Sequence, residues 1–90
     1  MKIIIAGAGE VGTHLAKLLS REEQDIILID NDEEKLRELD ANYNLMTVIG
    51  NPTAFQTLKQ AQVYKADLFI AVMPFESRNI MACTMASKLG

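Results

Sequence analysis

The first apolar run of the chain, Ile3-Ile4-Ile5-Ala6, leads directly into Gly7-Ala8-Gly9-Glu10-Val11-Gly12. So short and uniformly apolar a run suits a strand buried on both faces of a parallel sheet. Glycines spaced G-x-G-x-x-G at its end allow a tight turn at Gly7, close approach of a pyrophosphate at Gly9, and close packing of helix on strand at Gly12. Val11, Leu15, Leu18 and Leu19 recur at helical spacing, which predicts a helix over Glu10–Ser20. A buried strand, a glycine turn and a helix in that order commit the chain to a βαβ architecture.

The rest of the sequence repeats the alternation. Strands are predicted over Asp25–Ile29, Leu45–Ile49 and Asp67–Met73. Asn31 with Glu34, and Thr53 with Gln56, have capping-box spacing and open the second and third helices. Leu36 and Leu39 face inward on the second, Phe55 and Leu58 on the third. Ser77 is placed to cap a last helix running through Leu89, with Gly90 as its terminator. Right-handed crossovers then give an α/β, Rossmann-like parallel sheet of order 3-2-1-4 with helices on both faces. Residues 1–90 form a single domain. Its fourth strand would be an apolar edge, so the domain reads as a truncated doubly wound fold, a fragment of a longer chain.

Composition removes several classes of function. The net charge is −3 and the nine Lys and Arg form no run, which argues against nucleic acid as the main partner. The single cysteine, Cys83, rules out an internal disulfide and a cysteine-based metal site, fits a reducing cytoplasm, and reads as a small buried hydrophobe. No stretch has the apolar length of a membrane span. His14 lacks a metal-ligand or triad partner nearby and reads as a surface or packing residue. Met81, Met85 and Leu89 have the spacing of helix filler.

The candidate site is therefore the carboxyl edge of the sheet. Gly7, Ala8, Gly9, Glu10, Val11 and Gly12 form the phosphate loop, whose helix N-terminus favours an anion. Asp30, ending the second strand, can accept hydrogen bonds from ribose hydroxyls, or serve simply as a strand-end cap. A carboxylate there repels a 2′-phosphate, so NAD(H) is favoured, ATP or ADP is compatible and NADP is disfavoured. Asn31, Asn51 and Thr53 can flank the adenine or cap helices, and the two roles can coexist. No acid–base constellation for hydride transfer accompanies the loop, so the nucleotide is expected to be bound and not turned over.

Four stretches, "MKIIIAGAGEVGTHLAKLLS", "ILIDNDEEKLREL", "VIGNPT" and "ADLFIAVM…NIMACTMASKLG", together resemble the nucleotide-binding lobe of RCK (KTN) domains, regulators of potassium conductance, in the form found in Trk-type uptake systems. The resemblance covers essentially the whole chain. It implies a non-enzymatic cytoplasmic regulator, peripheral to the inner membrane through a potassium-translocating subunit, forming homo-oligomeric dimers or rings and gated by NAD(H), ATP or ADP. By the same resemblance Gly7, Gly9 and Gly12 match the phosphate loop, Asp30 the ribose carboxylate, and Asn51 and Thr53 the loop near the adenine. One segment departs from the pattern: where the family commonly has Thr, an Asp-Glu pair and Asn, this chain has Met73-Pro74-Phe75-Glu76-Ser77-Arg78-Asn79. The competing readings are the cofactor half of an NAD-dependent dehydrogenase and a nucleotide-free scaffold.

Overall fold

A computed structural model describes residues 1–90. The elements are β1 (Lys2–Ala6), α1 (Glu10–Ser20), β2 (Asp25–Asp30), α2 (Glu33–Asn42), β3 (Met46–Ile49), α3 (Phe55–Gln60), a 3-10 turn (Val63–Lys65), β4 (Leu68–Ala71) and α4 (Glu76–Leu89). The four strands form one sheet of order β3-β2-β1-β4. All pairings are parallel; Ile4 of β1 lies opposite Ile27 of β2 and Phe69 of β4, and Asp30 ends β2 opposite Ile49 of β3. The sheet is the Rossmann-like arrangement that the alternating pattern predicts.

Alternation along β1 divides the core in two. Ile3 and Ile5 join Ile26, Leu28, Ala16, Leu36 and Leu39 on the face covered by α1 and α2. Ile4 joins Ile27, Ile29, Leu58, Val63 and Ala86 on the face covered by α3, the 3-10 turn and α4. Burial of each such aliphatic side chain contributes about 1.5–3 kcal/mol, so the middle strands hold both layers together.

The helices settle differently from the predicted pattern in several places. In α1 the buried residues are Gly12 and Ala16. This small-residue stripe lets the helix lie close on the sheet, so Leu15 and Leu19 pack at its flanks while Val11 and Leu18 face solvent. The second helix is capped by Asp32, whose carboxylate accepts from the Lys35 N–H at 3.2 Å, and not by Asn31. Ala54 precedes α3 in place of the predicted Thr53 cap, and Phe55 is exposed while Thr57 and Leu58 turn inward. Thr57 packs directly on Gly50, where there is no room for a Cβ. The last helix starts after Phe75, so Ser77 lies within its first turn and caps nothing.

The third and fourth strands are shorter than predicted. Leu45 lies outside β3, and β4 runs only from Leu68 to Ala71. Cys83 is exposed, not buried, and so is Met81, whereas Met85 and Leu89 pack against the second core layer. No helix is long and apolar enough to cross a membrane.

Candidate functional site

Gly7 leaves β1 with φ +115°, and its N–H donates to the Ile29 carbonyl at 2.8 Å. That conformation is one glycine adopts without strain. Gly12 then passes so close that any Cβ would collide with the Gly7 carbonyl oxygen. Gly9 is different in kind: a Cβ there would meet no atom within 4 Å. Packing therefore explains two of the three glycines, while the third faces open space. Gly9 also occupies the N-cap position of α1 and supplies no side-chain cap, leaving the first-turn N–H groups without a side-chain acceptor.

Asp30 organises the loop. One carboxylate oxygen accepts from the buried Ala8 N–H at 2.7 Å, the other from the Asp32 N–H at 2.9 Å. Its carbonyl accepts from the Gly50 N–H at 2.9 Å, so a single residue ties the ends of β1, β2 and β3 together. Asn51 builds the neighbouring turn, its side-chain oxygen accepting from the Thr53 N–H at 2.9 Å and the Thr53 hydroxyl at 2.7 Å. Both residues thus have local structural tasks at the sheet edge.

The fourth wall comes from the segment between β4 and α4. The Asn79 side chain accepts from the Met73 N–H at 2.7 Å and donates to the Met73 carbonyl at 2.9 Å. This two-point clamp ends β4 and fixes the path into α4. It also holds Met73 against the glycine loop: a Cβ on Gly7 would lie 3.1 Å from Met73 Cγ and 3.2 Å from its backbone nitrogen.

These walls enclose an open cleft of about 640 Å³, into which Gly7, Gly9, Asp30, Asn31, Asn51 and Thr53 all face. The size is that of a small-molecule site. Of the remaining sequence candidates, Ala8 is buried and its N–H is taken by Asp30, Gly12 is packed under the loop, and Val11 points to solvent. Glu10 lines an adjoining polar hollow with Thr13, His14 and Lys17, which shares Gly9 and Lys35 with the cleft. Two cations stand in the main cleft, Lys35 on α2 and Arg78 on α4. The sequence offered little signal for Lys35; only its place one turn after Asp30, at the start of a helix that begins at the sheet edge, could have pointed to it.

Comparison with known protein families identifies the chain. The model of the TrkA-N domain matches residues 3–90. The chain belongs to the TrkA-N family. The Trk system potassium uptake protein TrkA of Halomonas elongata is 45% identical over 89 residues, an alignment covering 99% of this chain and 20% of that protein. A TrkA homolog of Pyrococcus abyssi is 35% identical over 89 residues, covering 99% of this chain and 39% of the homolog. This TrkA-N chain therefore spans between a fifth and two-fifths of the length of these relatives.

Among solved structures, the Kef C-terminal domain of Shewanella denitrificans in its AMP-bound form superposes with a TM-score of 0.83 at 19% identity, covering 98% of this chain and 52% of that one. The anaerobilin reductase ChuY of Escherichia coli O157:H7 gives a TM-score of 0.78 at 16% identity, covering 98% of this chain and 46% of that one. The TrkA-N chain thus shares its fold with an AMP-bound Kef domain and with a reductase, and fold alone does not choose between their activities.

Proposed function

We propose that this TrkA-N domain binds NAD(H) or an adenine nucleotide in the cleft as a signal, and that the protein carrying it regulates a potassium-translocating membrane subunit from the cytoplasmic side. The observation that carries the binding reading is Gly9: the loop holds a glycine that internal packing does not require, at an uncapped helix N-terminus that opens on a cleft of nucleotide size. Asp30 stands across from it, with lone pairs beyond those given to Ala8 and Asp32 available to ribose hydroxyls. The AMP bound by the Kef domain of the same fold, and the potassium-uptake names of the relatives, support the same assignment.

Signalling and not turnover suits the lining. Asn31, Asn51 and Thr53 offer hydrogen bonds, Pro and Met side chains offer shape, Lys35 and Arg78 offer positive charge, and the one carboxylate is engaged by backbone N–H groups. A regulator of this kind works by binding its ligand unequally in two assembly states, and a difference of about 1–3 kcal/mol changes affinity or occupancy 5- to 150-fold. A homo-oligomer of the full-length protein is the natural carrier of two such states.

The test is calorimetric titration with NADH, NADPH, ATP and ADP of the wild-type domain and of Gly9→Val. Gly9 has φ −74° and ψ −163°, which valine accepts, so the variant should keep its thermal midpoint. Nucleotide affinity is expected to fall at least tenfold, because the new methyl groups occupy the space a phosphate needs. Binding that survives the substitution, or a wild type that binds none of the four, would refute the reading.

A further inference from the structure

Lys35 and Arg78 are set on opposite sides of the cleft, and neither has a carboxylate partner; the chain's one ion pair is Arg37–Glu33 on the outer surface of α2. Unpaired cations converging on one cleft are notable in a chain of net charge −3. Their positions differ in meaning. Lys35 rises from the first turn of α2 and also borders the polar surface beside Gly9 and Glu10 at the start of α1. Arg78 sits in the first turn of α4, on the segment that Asn79 pins to Met73 and that lies against Gly7. Its guanidinium stacks on the Phe75 ring, 4.7 Å from the centroid, which restricts the side chain before any ligand arrives.

A 5′-phosphate held over Gly9 at the start of α1 would extend any further phosphate past Gly7, toward α4. We infer that Arg78 is a specificity-determining residue that reads the phosphates beyond the first, so that the cleft prefers adenosine di- and triphosphates to adenosine monophosphate. The inference rests on the nucleotide-binding reading above. The chemistry is that of a guanidinium donating paired N–H bonds to phosphate oxygens, a contact worth roughly tenfold or more in affinity when the group is pre-positioned. AMP has no phosphate to give it. The dinucleotide NADH offers its second phosphate only as a diester carrying a single charge, and so gains less than ADP.

The experiment is a titration series of AMP, ADP, ATP and NADH against the wild-type chain, Arg78→Gln and Arg78→Glu, with thermal melts to verify folding. Arg78 is exposed and bears on no core residue, so both variants should melt with the wild type. The wild type is expected to bind ADP and ATP at least tenfold more tightly than AMP. Arg78→Gln should leave AMP within about twofold and shrink the ADP advantage below about threefold, and Arg78→Glu should reverse it. AMP binding with no preference for ADP, or a preference that persists in both variants, would overturn the role of Arg78 while leaving the nucleotide site intact. Failure of all four ligands to bind the wild type would remove the site itself, and the inference with it.

Discussion

Glycines 9 and 12 belong to one motif yet are held in place by opposite forces, and substitution should separate them. Gly12→Ala pushes a methyl group into the Gly7 carbonyl, which is backbone and cannot swing aside. The expected loss is roughly 3 kcal/mol or more, read by urea denaturation, a large part of the stability of a domain this small. Gly9→Val should unfold at the wild-type denaturant concentration. Asp30→Ala belongs between them: it strands the buried Ala8 N–H and costs about 1–3 kcal/mol, in addition to any loss of ligand affinity. A lowered denaturation midpoint in Asp30→Ala without ligand would show that its carboxylate organises the loop in the free protein.

At the level of elements, the clamp between Asn79 and Met73 makes the same kind of claim. Asn79→Ala removes the partners of one backbone N–H and one carbonyl, at a cost of about 1–2 kcal/mol, and should speed hydrogen exchange at the Met73 amide. Unchanged exchange there would mean that the turn holds without its clamp. These local bonds also explain what the sequence did and did not reveal. The element order, the sheet order and the inward faces of β1 and β2 were legible because apolar runs and their spacing report burial directly. The helix starts were not. Asn31, Thr53 and Ser77 all have good capping chemistry, but Asp30 captures the Asp32 N–H, Asn51 captures both the Thr53 N–H and its hydroxyl, and the Asn79 clamp lets α4 begin two residues early. Each turn is closed by a side chain reaching across loop or sheet edge, and periodicity is blind to such reach. Lys35 escaped for a related reason: what brings it to the cleft is the packing of α2 beside β2, not any motif.

For the molecule as a whole, the small core makes ligand linkage easy to see. Ligand at a hundredfold excess over its dissociation constant stabilises the folded state by about 2.7 kcal/mol, which for a domain of this size raises the melting temperature by about 10–20 °C. Scanning fluorimetry with ADP and NADH should show that rise in the wild type and lose it in Gly9→Val. The two core layers, one under α1 and α2 and the other under α3 and α4, have a single sheet between them. The cleft lies at the rim where that partition stops, with Lys35 belonging to one side and Arg78 to the other. A molecule seated there would be a cross-tie, touching α2 on one face of the sheet and α4 on the other.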